Sequence, residues 1–367
     1  MIEYKKAGVI GAGVMGAQIA ALLAGAGLEV ELLDIVPPEG TISSDSAFRN
    51  HFALDGIARL SKSKFPVFFT SKDSSRIRAG NLEDHIERLG SCDLVIEAII
   101  EKLDAKLSLY KKLYDVLKND AVLASNTSGI LRRMLVGGMP AELERRFLIT
   151  HFFNPPRYMK LLEVVSSSSV EPEIFKSFVT FAEKNLGKGV VITKDTPGFI
   201  ANRLGVFYVL DVMHRVDKEG WPIEAADLVL GKATARPKTG VFRTIDMAGI
   251  DTLSYVSTEL LKNCPDDEWI SRLRIPQFMV QMVMKGYIGD KAGQGFYRKD
   301  KTSGQIMVFD PAKFDYRTKI NFSTPSLEEA ARIFDPAERI RHITFANDQA
   351  GEIAWPVIAS TLVYAAN

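Results

Sequence analysis

A chain of 367 residues, 46% hydrophobic and 25% charged, has globular composition and enough length for two domains. Its formal net charge of +1 excludes a global field favouring nucleic acid or an anionic membrane surface. Two cysteines, Cys92 and Cys264, show neither metal-ligand spacing nor a disulfide framework, which points to a reducing, cytoplasmic setting and no metal centre.

Residues 7–28 carry no charge and are long enough for a membrane span. Gly8, Gly11, Gly13, Gly16, Gly25 and Gly27 break that run, which parses better as strand, turn and helix. A strand over 7–10 leads into Gly11-Ala-Gly-Val-Met-Gly16, a G-x-G-x-x-G turn, and a helix over 18–26 follows. Gly11 permits the tight turn, Gly13 lets backbone approach a pyrophosphate, and Gly16 lets helix meet strand. Val14 and Met15 lie in the same turn, where the helix N-terminus offers free N–H groups to phosphate. A second strand over 28–33 ends at Asp34, eighteen residues past Gly16 and placed to accept from a ribose. An acid there favours NAD over NADP. The competing reading is a glycine-rich turn with no ligand.

Residues 37–78 are the least regular part of this half, and from Arg59 to Arg78 they hold Arg59, Lys62, Lys64, Lys72, Arg76 and Arg78 against one acid, Asp73. This is either a solvated basic face or a docking surface for a phosphate-bearing substrate handle. Strand and helix then alternate again: a strand over 93–96 ending at Glu97, an amphipathic helix over 104–117, and a strand over 121–124 followed by Ser125-Asn-Thr-Ser128. Ligands collect at the carboxyl ends of parallel strands, so Glu97, Ser128 and His151 all fall near the expected cofactor edge. Ser and Asn clusters are also ordinary turn chemistry.

Residues 147–165 read as two β-prone runs around a turn at Asn154-Pro155-Pro156. If they form an antiparallel hairpin centred near Arg157, His151 and Glu163 face each other across the ladder. A carboxylate beside an imidazole makes an oriented general base; a core histidine with a chance acid is the plain alternative. A further strand over 190–193 runs into Asp195-Thr-Pro-Gly198, where we expect the domain boundary. Beyond it the pattern is helical, over 200–218, 222–230, 252–263 and 276–285, with no further βαβ signal. The expected fold is α/β: a Rossmann-type doubly wound domain over 1–195, then an all-α domain over 196–320. An additional helical segment covers 321–367, with runs over 326–346 and 350–366.

Taken together, the motifs resemble those of the L-3-hydroxyacyl-CoA dehydrogenases, NAD-dependent enzymes of fatty-acid β-oxidation. They are Gly-Val-Ile-Gly-Ala-Gly-Val-Met-Gly at 8–16, Val-Ile-Glu-Ala-Ile at 95–99, Ser-Asn-Thr-Ser at 125–128, and His-Phe-Phe-Asn-Pro at 151–155. Lys-Leu-Leu-Glu-Val at 160–164, Asp-Thr-Pro-Gly-Phe-Ile-Ala-Asn-Arg at 195–203 and Lys-Ala-Gly-Gln-Gly-Phe-Tyr at 291–297 complete the set in the family's order. The resemblance implies that His151 is the catalytic base and Glu163 its orienting carboxylate. It implies that Asn154 and Asn202 are active-site amides, Ser128 touches both nicotinamide and substrate, and Glu97, Lys102 and Lys291 lie on the cofactor side. Lys62 and Lys64 would hold coenzyme A. It further implies a dimer, or an assembly with an enoyl-CoA hydratase-like domain, since 321–367 resembles the start of a second helical unit in long family members. Two departures stand out: Lys102 replaces a frequent asparagine, and Arg243 replaces an acid within 240–244. Rival readings are an L-gulonate-type hydroxyacid dehydrogenase and a non-catalytic, crystallin-like NAD binder.

Overall fold

The computed structural model describes residues 2–38, 45–63 and 65–367. The chain divides into two compact units, Met1–Ile200 and Ala201–Asn367.

The first unit is built on one eight-stranded sheet. Its strands are β1 (Lys6–Ile10), β2 (Glu29–Asp34), β3 (Ile77–Asn81), β4 (Leu94–Glu97), β5 (Val122–Ser125), β6 (Phe147–Phe152), β7 (Leu161–Val165) and β8 (Gly189–Thr193). They lie in the order β3-β2-β1-β4-β5-β6-β7-β8. All neighbouring pairs are parallel except β6 and β7, which form an antiparallel hairpin. Helices α1 (Val14–Gly25), α2 (His51–Ser61), α3 (Leu103–Val116) and α4 (Pro172–Lys184) join successive parallel strands. Covered on both faces, the central strands read as unbroken apolar runs; β4 and β5 are buried along their whole length. The 3-2-1-4-5-6 order reverses direction between β1 and β4, and the crevice outside their carboxyl ends is where such sheets take ligands. β3, which begins where the irregular stretch 37–78 ends, completes the nucleotide half of the sheet.

The second unit is helical. It contains α5 (Ala201–Glu219), α6 (Ile223–Val229), α7 (Phe242–Ala248), α8 (Ile250–Asn263) and α9 (Gln277–Met284). After them come α10 (Pro325–Ala330), α11 (Pro336–Thr344) and α12 (Gln349–Ala366). Phe207, Phe242, Phe296 and Phe309 are fully buried at its centre. Expected to be all-α, this unit also carries a three-stranded antiparallel sheet, β9 (Tyr297–Lys299), β10 (Ile306–Asp310) and β11 (Asp315–Thr318). The helical run expected over 326–346 is two helices, α10 and α11, because Asp335 and Pro336 start a new one. Asp335 caps α11 by accepting from the Glu338 N–H at 2.8 Å. α12 belongs to the same unit: Tyr364 stacks on Phe207 with ring centroids 4.1 Å apart, and its hydroxyl donates to Asp267 at 2.7 Å.

Among the described residues no helix is long and apolar enough to cross a membrane. The uncharged run over 7–28 is β1, its turn and α1, as its glycines indicated. Both cysteines are free thiols, and burial pushes that of Cys92 up to about 12, which leaves it unreactive.

Candidate active site

At the carboxyl end of β1 the three glycines of the turn have separate physical reasons. Gly11 sits at φ +98, and a Cβ there would lie 2.5 Å from the Ala98 carbonyl oxygen. A Cβ on Gly16 would fall 1.7 Å from the Gly11 carbonyl oxygen, so α1 reaches the turn only through a glycine. A Cβ on Gly13 would meet nothing within 4 Å among the described residues. Internal packing explains two of the glycines; the third keeps open space in front of a helix N-terminus. There Gly13 is the N-cap and the first-turn N–H groups of Val14, Met15 and Gly16 have no partner within α1. Asp34 closes the neighbouring strand end, accepting from the Ala12 N–H at 2.6 Å and the Ile35 N–H at 2.7 Å. These residues fit the diphosphate and ribose of a dinucleotide.

Across the reversal point, Glu97 ends β4. Expected beside the cofactor, it is instead wholly buried. Its carboxylate accepts from Lys106 Nζ at 2.6 Å, Tyr110 Oη at 2.7 Å, Ser125 Oγ at 2.7 Å and the Ile99 N–H at 2.8 Å. A carboxylate with four donors and no exposure is a structural hub, not a ligand contact. The exposed acid at this edge is Glu101, which the sequence reading passed over. It accepts from Thr127 Oγ1 at 2.5 Å and from the N–H groups of Ser128 and Gly129 at 2.9 and 3.1 Å. Lys106 Nζ lies 3.3 Å away. Burial opposes its charge, yet Lys106 and these donors prevail and hold the carboxyl below the usual carboxylate range. Glu101 thus shapes the loop that presents Ser128. One signal for Lys106 was available: with Leu103, Tyr110, Leu113 and Leu117 it falls on one buried stripe of α3 spacing, where a lysine needs a partner.

The hairpin delivers the base. β6 and β7 pair with His151 directly opposite Glu163, the register read from the sequence. His151 Nδ1 lies 2.8 Å from Glu163 Oε2, and both side chains are buried. The second oxygen of Glu163 accepts from the Ile200 N–H at 3.0 Å. Phe153 and Phe199 flank the imidazole, with ring centroids 4.4 and 5.8 Å away. With an ionised Glu163, Nδ1 carries the proton and Nε2 is left as the basic nitrogen.

Two further bonds tie this end of the hairpin to its neighbours. Asn126 Oδ1 accepts from the Phe152 N–H at 2.9 Å, which joins the loop after β5 to the residue beside His151. Asn154 Oδ1 accepts from Gln18 Nε2 at 3.2 Å, linking the hairpin turn to α1. Lys188, whose amine burial lowers to about 8, donates to the Pro156 and Met159 carbonyls and closes the tip from below. The structure therefore brings together the glycine turn, Asp34, Ser128, His151, Asn154 and Glu163 along one sheet edge.

Two other expected residues of the first unit are exposed. Lys102 is exposed at the N-cap of α3. Lys62 is exposed at the end of α2, and Lys64 lies outside the described residues. Arg59, in the same basic stretch, is occupied locally by Asp55 and by the Ala12 carbonyl. In the second unit, Asn202 is the second residue of α5, and Lys291 is paired with Asp251 at 2.5 Å. Their assignment rests on the resemblance alone. Arg243 forms a fork with both oxygens of Asp290, at 2.5 and 2.9 Å.

Comparison with known proteins identifies the family. The family described as "3-hydroxyacyl-CoA dehydrogenase, NAD binding domain" matches residues 6–196, and "3-hydroxyacyl-CoA dehydrogenase, C-terminal domain" matches 198–299. A probable 3-hydroxyacyl-CoA dehydrogenase of Deinococcus radiodurans is 45% identical over 82% of this chain and 84% of its own. A Bacillus subtilis protein of the same description is 37% identical over 99% of this chain and 47% of its own. A putative fatty acid oxidation complex trifunctional enzyme of Rickettsia felis is 37% identical over 89% of this chain and 45% of its own. The chain thus spans about half the length of the latter two. Among solved structures, 3-hydroxybutyryl-CoA dehydrogenase from Escherichia coli is similar with a TM-score of 0.67 at 27% identity, covering 89% of this chain and 63% of that one.

Proposed function

The chain belongs to the 3-hydroxyacyl-CoA dehydrogenase family, and from that premise we propose that it oxidises (S)-3-hydroxyacyl-CoA to 3-oxoacyl-CoA with NAD. The observation that carries the reading is the 2.8 Å approach of His151 Nδ1 to Glu163 Oε2 across the hairpin at the ligand edge of the sheet. His151 takes the C3 hydroxyl proton through Nε2. Glu163 steadies the imidazolium that forms, and its bond to the Ile200 N–H keeps the carboxylate from rotating away. The turn over Gly11, Gly13, Val14, Met15 and Gly16 holds the diphosphate, and Asp34 holds the ribose. NAD, when bound, supplies the hydride acceptor. Negative charge on the C3 oxygen calls for neutral donors, a role suited to the Ser128 hydroxyl and the Asn154 amide. Glu101 and Asn126 set the loop that carries Ser128.

The deciding experiment follows NADH oxidation by acetoacetyl-CoA, with NADPH in place of NADH as one contrast and NAD reduction by free L-gulonate as the other. Turnover of the CoA ester with NADH supports the reading. Activity confined to the gulonate pair reverses it, and NADH binding without turnover of either leaves a non-catalytic protein. We further propose a cytoplasmic setting, from the free cysteines, and a dimer or an assembly with an enoyl-CoA hydratase-like domain; the greater length of the Rickettsia relative, of which this chain covers 45%, supports the larger assembly. Size-exclusion mass measurement of the purified native assembly tests it.

A further inference from the structure

The second unit contains a cavity of about 630 Å³ between α6, the loop before α7 and the small sheet. This is ample for a nucleotide-sized ligand. Five cations line it against three acids. Each acid is already satisfied from within the protein. Glu224 accepts a fork from Arg317 at 2.6 and 2.8 Å and the Ile320 N–H at 2.8 Å. Asp290 accepts the Arg243 fork. Asp227 accepts from the Val241, Phe242 and Arg243 N–H groups and from Tyr297 Oη, at 2.6 to 3.1 Å.

The remaining cations have no such partners. Lys238, Lys299 and Lys319 form no ion pair among the described residues. The Arg298 guanidinium carbon lies 3.9 Å from the centroid of the Tyr316 ring, and among the described residues no carboxylate accepts a hydrogen bond from it. A guanidinium seated over a ring is pre-oriented, so it loses little freedom when an anion arrives. Leu228 and Ile306 supply an apolar wall beside these charges. Unpaired cations around a concave, partly apolar space suit an organic phosphate, the charges for its phosphoryl oxygens and the wall for its base.

We propose that this cavity binds an adenosine phosphate through Lys238, Arg298, Lys299 and Lys319. That chemistry has two sources, the 3′-phospho-ADP head of coenzyme A and a free adenosine nucleotide; the first rests on the dehydrogenase reading above.

The test is calorimetric titration of the full chain with adenosine 3′,5′-bisphosphate, in saturating NADH so that the glycine-turn site is filled. The native protein shows saturable binding that weakens with salt. In Lys238→Glu/Lys319→Glu the dissociation constant rises at least tenfold, whereas Lys238→Arg/Lys319→Arg keeps it. Absence of saturable binding, or equal binding by the Glu variant, overturns the proposal. Steady-state kinetics then separate the sources. A KM increase in the Glu variant for acetoacetyl-CoA but not for acetoacetyl-pantetheine assigns the site to the coenzyme head. Lost bisphosphate binding with both KM values unchanged assigns it to a free nucleotide. If the native chain reduces neither ester, the dehydrogenase reading fails and the titration alone decides the site.

Discussion

Glu163 holds two donors at once, His151 through one oxygen and the Ile200 main chain through the other. Replacing it by Gln keeps the shape but removes the charge that favours the imidazolium and fixes the tautomer. We expect Glu163→Gln to lower kcat for acetoacetyl-CoA reduction about 10²-fold with KM for the ester nearly unchanged. His151→Asn removes the proton acceptor itself, and its kcat falls further, by about 10³-fold or more. Steady-state kinetics on both variants, with circular dichroism to verify folding, checks the order; equal losses would mean that Glu163 does more than orient. The pair was legible in the sequence because two β-prone runs about one turn determine which side chains meet. The Glu97 assignment was not, because two acids stand four residues apart and only the fold shows which one is enclosed. Glu97 is buried by the Lys106 and Tyr110 side chains of α3, and the amphipathic pattern over 104–117 does not by itself single out that lysine.

Local geometry at the scale of the turn and its helix separates two glycines of one motif. Gly16→Ala forces a methyl group against the Gly11 carbonyl oxygen, an overlap the backbone relieves only by moving α1 away from the turn. Gly13→Ala meets nothing. The expected outcomes differ accordingly: Gly16→Ala lowers the thermal midpoint by several degrees, whereas Gly13→Ala melts like the native protein and binds NADH at least tenfold more weakly. Scanning calorimetry and NADH fluorescence titration measure the two effects, and a stability loss in Gly13→Ala would deny the open space its role. Among the elements, the βαβ units were readable from alternating apolar runs. β3 was not, because Ile77-Arg-Ala-Gly-Asn81 pairs on one side only, with β2, and lacks the apolar run of a central strand. β9, β10 and β11 escaped because they are three to five residues long and pair with one another, leaving no crossover pattern to detect.

Over the whole molecule, stability depends on acids enclosed in the second unit. Asp246 accepts from the Phe296 and Tyr297 N–H groups at 2.8 Å each, anchoring the start of the small sheet to α7. Burial raises its carboxyl from the ordinary 3.8 to about 7. Between roughly pH 4 and 7 the folded state keeps a proton that the unfolded chain has released. Its stabilising contribution is therefore complete below pH 4, declines by about 1 kcal/mol per pH unit as pH rises, and levels off above 7. Asp227, raised by burial to about 6, adds a contribution of the same sign over a narrower range. Asp246→Asn removes the larger part, so the native-minus-variant difference in urea midpoint shrinks from pH 4.5 to 7.5. A constant difference would mean that Asp246 stays ionised. The hairpin has a consequence on this same scale. β6 is laced to β5 and β7 to β8 along their outer sides, so neither arm can slide past the other. Only the part of the tip beyond Asn154, over 157–160, is thus open to exchange. Grafts of different length or chemistry can retune what enters from that side while the proton-transfer couple beneath stays in place.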